Sequence, residues 1–122
     1  MARILLAEDD ESLRLFLARA LGRAGHAVTD CGDGIVALQH LQARDAAYDL
    51  LLADIVMPGM DGIELARRGA ESLPALRVLF ITGFAAVALH ARRAGPTADT
   101  KVLSKPFHLR DLVEQVDRIL AA

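Results

Sequence analysis

The chain has one cysteine and no tryptophan, and only 4% of its residues are aromatic. A single cysteine closes no internal disulfide, so Cys31 is expected to be a small buried residue at the end of a strand. An excess of either charge is missing too: 14 basic against 16 acidic residues leave a formal charge of −2. Arg67-Arg68 and Arg92-Arg93 are isolated pairs, read as solvated helix faces, and no basic stripe or arm points to nucleic acid. No apolar run approaches membrane-spanning length and no signal-peptide pattern precedes the first strand. A cytoplasmic protein with no membrane contact is therefore expected. No repeat, linker or low-complexity stretch divides residues 1–122, which read as one domain. What is plentiful is apolar side chains, 53% of the total, enough to fill a single core.

The pattern along the chain is an alternation of short apolar runs with longer segments of helical spacing. Arg3 to Glu8 reads as the first strand. Asp10 to Gly25 reads as a helix with Leu13, Phe16, Leu17, Ala20 and Leu21 on one face. Ala27 to Cys31 is a second strand, and Asp33-Gly34 opens a helix with Ile35, Leu38 and Leu41 inward, ending near Asp45. The run ending at Asp54 is the third strand, and Asp61 to about Ser72 the next helix. Arg77 to Thr82, Gly83 to about Ala94, Lys101 to Ser104 and His108 to Ala122 supply strand, helix, strand and helix. Five strands alternating with five helices imply parallel strands joined by right-handed crossovers. The expected fold is α/β: a flavodoxin-like, doubly wound five-stranded sheet of order 2-1-3-4-5.

In such a sheet, ligands bind beyond the carboxyl ends of the strands. Asp54 stands where its apolar run stops, before the chain-breaking Met57-Pro58-Gly59, and Glu8 and Asp9 end the first run. With the first and third strands adjacent, three carboxylates converge, a crowding that favours a hard cation of the Mg²⁺ type. Thr82 ends the fourth strand, and Ser104 and Lys105 end the fifth. A hydroxyl and an ammonium facing a carboxylate–metal site suit an incoming phosphoryl group, with Asp54 as nucleophile. The four histidines, His26, His40, His90 and His108, lie on separate elements with no metal-ligand spacing.

Glu8-Asp9, Asp54 with Met57-Pro58-Gly59-Met60-Asp61-Gly62, Thr82-Gly83 and Lys105-Pro106-Phe107 together resemble the signature set of response-regulator receiver domains, the CheY-like fold. The resemblance covers essentially the whole chain. It implies that Glu8, Asp9, the Asp54 carboxylate and the Val56 carbonyl hold Mg²⁺. It implies that Asp54 takes a phosphoryl group from a histidine kinase or histidine phosphotransferase, that Thr82 and Lys105 contact it, and that Lys105-Pro106 is cis. Runs such as Ile81 to Leu89 and Leu103 to Leu112 narrow the likeness to stand-alone receivers of α-proteobacteria. Those resemble adaptors that prime the ClpXP protease, through its ClpX unfoldase, for substrates when unphosphorylated. The implied role is a signalling protein rather than an enzyme, with no output domain.

Two other phosphate chemistries fit less well. A hydrolase of the haloacid-dehalogenase type also uses Asp, Thr or Ser, Lys and Mg²⁺, but carries a second Asp two residues after the nucleophile, where this chain has Val56. A flavodoxin-like cofactor binder needs a phosphate-cradling loop after the first strand, where Glu8, Asp9 and Asp10 repel phosphate. The chain also departs from many receivers in one respect: three residues before the lysine, Val102 replaces an aromatic ring that swings inward on activation. Val56 and Phe84 form an apolar pair where water-orienting polar residues are usual, which predicts a long-lived acyl phosphate. Phe84 to Leu89 is apolar on consecutive positions, so the face of the helix over 83–94, the fifth strand and the last helix is expected to dock partners. Ala121 and Ala122 extend past the apolar face of the last helix and are expected to fray.

Overall fold

The computed structural model describes residues 1–84, 90, 91, 93–96 and 100–122. Ile4 to Ala7 and Leu50 to Ala53 are apolar without interruption, and none of the eight has surface left exposed. Strands of that kind belong in the middle of a parallel sheet covered on both faces. They form β1 (Arg3–Ala7) and β3 (Leu50–Asp54), hydrogen-bonded side by side. β2 (Ala27–Cys31) flanks β1, and β4 (Arg77–Thr82) and β5 (Lys101–Ser104) follow β3, so the order is β2-β1-β3-β4-β5 with every pair parallel. This is the expected topology.

Alternation along each strand sorts the core into two layers. Leu5, Ala7, Leu51, Ala53 and Phe80 pack with Leu38 and Leu41 of α2 (Gly34–Gln42) and Leu65 and Ala66 of α3 (Gly62–Ser72). Ile4, Leu6, Leu52, Leu79 and Ile81 pack with Leu17 and Leu21 of α1 (Glu11–Arg23) and Leu112 and Val116 of α4 (Leu109–Ala121). Truncating any of the fully buried leucines to alanine costs on the order of 2–5 kcal/mol. Three helices begin at aspartates that accept backbone N–H groups: Asp10 from Leu13, Asp33 from Ile35 and Val36, and Asp61 from Glu64.

Two helical faces differ from the expected ones. Phe16 is 55% exposed, because the buried stripe of α1 runs through Leu17 and Leu21, with Leu13 and Ala18 packed against it. Ile35 is 48% exposed, because α2 buries Gly34, Ala37, Leu38 and Leu41, and Ile35 is turned about 100° from that stripe. Four helices are described, not five. Of the helix expected over 83–94, residues 85–89 and 92 lie outside the described residues, and so does most of the expected docking segment. His90, Ala91, Arg93 and Ala94 are helical, and the Gly95 N–H donates to the Ala91 carbonyl at 3.0 Å. Cys31 is buried at the end of β2, as expected. The last helix does not end unpartnered: the Arg77 guanidinium donates to carbonyl oxygens of Ile119 and Ala122.

Candidate functional site

Four strands deliver a polar residue to the same rim. Glu8 is the first residue past β1, Asp54 the last of β3, Thr82 the last of β4, and Lys105 the first past β5. The register keeps these ends level, pairing Ala7 with Ala53, Asp54 with Ile81 and Thr82 with Ser104. Glu8, Asp9 and Asp54 each bring a carboxylate oxygen within 4.8 Å of the others. Glu8 has no exposed surface and Asp54 only 7%, whereas Asp9 faces solvent.

Two buried carboxylates this close need a counter-charge. Lys105 supplies one: its Nζ donates to Asp54 Oδ2 at 3.0 Å and to Glu8 Oε1 at 3.1 Å. Burial pushes the Glu8 carboxyl up to about 7, and its hydrogen bond with Asp9 pushes the same way. The Asp10 N–H and the Lys105 ammonium pull against that, without prevailing. Burial also disfavours the charge on Lys105, but its hydrogen bonds to Asp54 and Glu8 outweigh it and hold the ammonium above its ordinary pKa. The donors are all hard oxygens, two buried and one open to solvent, with one lysine between the buried pair. That set fits a Mg²⁺-type cation.

The backbone around Asp54 is tied down locally. Asp54 Oδ1 accepts the Val56 N–H at 3.2 Å, the Ile55 N–H reaches the Ile81 carbonyl at 3.2 Å, and the Gly62 N–H reaches the Ile55 carbonyl at 2.8 Å. A Cβ on Gly62 would stand 2.3 Å from the Asp54 carbonyl oxygen, so only glycine lets α3 begin this close to the rim. On the other side, the Lys105 N–H donates to the Thr82 carbonyl at 2.7 Å, and the buried Thr82 hydroxyl accepts the Phe84 N–H at 3.2 Å. Lys105-Pro106 is cis. Ser104 lies at the same rim but is exposed. Val56 and Phe84 are exposed as well, at 54% and 60%, while Val102 is a buried core residue.

Arg14 belongs to no motif, yet it reaches this rim. Its Nη1 donates to the Glu8 carbonyl at 2.9 Å and its Nε pairs with Asp30 Oδ2 at 3.0 Å. The one trace of this in the sequence is an arginine four residues after the aspartate that caps α1. A cleft of about 620 Å³ lies not here but at the opposite end of the sheet, between Leu76, Arg77, Lys101 and Ile119. No described helix is long and apolar enough to cross a membrane.

A parallel sheet of this order, with acids past β1, an aspartate ending β3, a threonine ending β4 and a lysine past β5, defines one class of protein. Residues 4–117 match the response regulator receiver domain model, and the chain belongs to that family. Within it, the chain is 57% identical over 122 residues to the response regulator receiver protein CpdR of Brucella abortus, covering 100% of this chain and 99% of that one. It is 34% identical to the sensor kinase CckA of the same organism over 98% of this chain, but only 12% of that much longer protein. Among solved structures, a response regulator receiver protein from Sinorhizobium medicae superposes with a TM-score of 0.88 at 32% identity, covering 99% of this chain and 95% of that one. The chain is thus a receiver domain of a two-component response regulator, a family generally phosphorylated by histidine kinases or phosphotransferases and generally binding Mg²⁺.

Proposed function

We propose that Asp54 is the phosphoacceptor of a Mg²⁺-dependent phosphorelay and that its modification switches a protein-binding surface. An Asp54 carboxylate oxygen attacks the phosphorus of a phosphohistidine on a histidine kinase or phosphotransferase. The P–N bond breaks, the imidazole keeps the electron pair, and an acyl phosphate is left on Asp54. Glu8, Asp9, Asp54 and the Val56 carbonyl would hold Mg²⁺, which would supply positive charge beside the phosphoryl oxygens. Lys105, already 3.0 Å from Asp54, exchanges a carboxylate oxygen for a phosphoryl oxygen, and the Thr82 hydroxyl donates a second hydrogen bond. Phe16 supports the protein donor's approach: with Leu13, Leu17, Pro106 and Phe107 it lines a cleft of about 260 Å³ beside Lys105.

The observation that carries this reading is the buried Asp54 carboxylate, grouped with two other acids and held by one lysine. Incubation with acetyl phosphate and Mg²⁺, followed by intact mass, is the test. One phosphoryl group is gained by the wild type and none by Asp54→Asn; equal uptake by both removes Asp54 from the role.

The reading extends to a stand-alone cytoplasmic regulator, residues 1–122 acting as one domain, that primes ClpXP for its substrates. It is supported by the likeness to the α-proteobacterial stand-alone receivers and by the full-length match to CpdR. Immobilised ClpX should retain the wild type and Asp54→Ala, and lose the form loaded with beryllium fluoride. Equal retention of all three makes the partner something other than a phosphorylation-controlled ClpX.

A further inference from the structure

We propose that Arg14 is the positioning residue of the acidic pocket: from α1 it holds the peptide joining Glu8 to Asp9, and so sets the pocket's affinity for its cation. This rests on reading Glu8, Asp9 and Asp54 as cation ligands.

Glu8 is past the last ladder pair of β1 and β2, Ala7 with Cys31, so the strand register no longer orients it. Its two flanking peptide planes are held separately. The plane before it is held by β2, through the Glu8 N–H to the Cys31 carbonyl at 3.0 Å. The plane after it, which carries Asp9, is held by Arg14 Nη1 on the Glu8 carbonyl at 2.9 Å. The guanidinium is itself anchored: its Nε pairs with Asp30 at 3.0 Å, its side chain is only 18% exposed, and its backbone N–H donates to the Asp10 carbonyl at 2.8 Å. Room for it is left by Gly32, where a Cβ would stand 2.6 Å from Nη1. Asp9 is exposed, so packing does little to aim it. The orientation of the Glu8–Asp9 peptide then helps decide where the Asp9 carboxylate points, beside the Glu8–Asp9 side-chain hydrogen bond and the Asp10 N–H on Glu8 Oε2 at 3.2 Å. The hydrogen bond from α1 holds that peptide.

Positioning and simple electrostatics predict opposite signs. Arg14 is a cation near a cation site, so by charge alone its removal should tighten Mg²⁺ binding. As a positioning residue its removal should weaken it, by about tenfold, the usual scale for a group that orients a metal ligand.

The test is calorimetric titration of Mg²⁺ into the wild type and into Arg14→Met, Arg14→Lys, Asp30→Asn and Glu8→Gln/Asp9→Asn, with the unfolding midpoint of each taken without metal. Arg14→Met should raise the Kd about tenfold. Arg14→Lys should recover part of that, because an ammonium can reach the Glu8 carbonyl but not both partners. Asp30→Asn, which keeps the arginine and cuts its anchor, should shift the Kd less in the same direction, and it decides the matter should Arg14→Met not fold. Unchanged or tighter binding in the folded Arg14 and Asp30 variants overturns the proposal while leaving the cation site in place, provided Glu8→Gln/Asp9→Asn still loses affinity. Unchanged affinity in that last variant overturns both.

Discussion

The two ends of the sheet are both charged, and they use charge differently. At the carboxyl rim, Glu8 and Asp54 are buried and share the single ammonium of Lys105. At the amino-terminal end, contacts are hydrogen bonds that hold elements together: Arg77 on the Ile119 and Ala122 carbonyls, and His26 between the Ala2 N–H and the exposed Asp117 carboxylate. A cleft of about 620 Å³ is at that second end, so concavity alone does not single out the acidic rim. Crowded, desolvated carboxylates do: Lys105 offsets part of their cost, and a bound cation would offset more.

The largest effect that sharpens this contrast is at Asp54. Asp54→Asn should abolish phosphoryl uptake from acetyl phosphate, measured by intact mass, while circular dichroism shows the fold retained. Next comes the cation: Glu8→Gln with Asp9→Asn should weaken Mg²⁺ binding by roughly tenfold or more, read by calorimetry, since charged oxygens hold a hard divalent ion.

Phosphoryl lifetime should follow. Val56 and Phe84 beside the rim are exposed and apolar, and neither orients a water. Val56→Asn with Phe84→Glu should speed loss of the phosphoryl group by on the order of tenfold, timed by mass after removal of the donor. An unchanged lifetime would show that these side chains do not limit hydrolysis.

A smaller effect concerns pH. Folding raises the Glu8 carboxyl from 4.5 to about 7, so between those values the folded protein keeps a proton that the unfolded chain releases. The stabilisation is complete below 4.5 and is lost as pH rises through about 7. Urea midpoints without Mg²⁺ should therefore fall across that window, and Glu8→Gln should flatten the slope. The smallest effect is at the other end: Arg77→Met should cost about 1 kcal/mol and loosen the end of α4, leaving phosphoryl uptake unchanged. A loss of uptake there would mean the two ends are coupled and the contrast too sharp.

Much of the fold was legible in the residues. Ile4 to Ala7 and Leu50 to Ala53 are unbroken apolar runs, which only a strand covered on both faces uses fully, and Asp10, Asp33 and Asp61 announce the helix starts they cap. Strand ends set acids, hydroxyl and lysine at one rim, because in a parallel α/β sheet every strand points the same way. Side-chain reach and helix rotation were not legible. Phe16 and Ile35 fit a helical period as well as their buried neighbours do, and the rotation of each helix against the sheet decided which side of the stripe was covered. Lys105 bridging two carboxylates, Gly62 against the Asp54 carbonyl, and Arg14 on the Glu8 carbonyl join residues far apart in the chain or on different elements. Local spacing carries the period of an element and the chemistry at its ends. Which long side chain meets which partner across two elements depends on their distance and tilt, and those exist only once the core has packed.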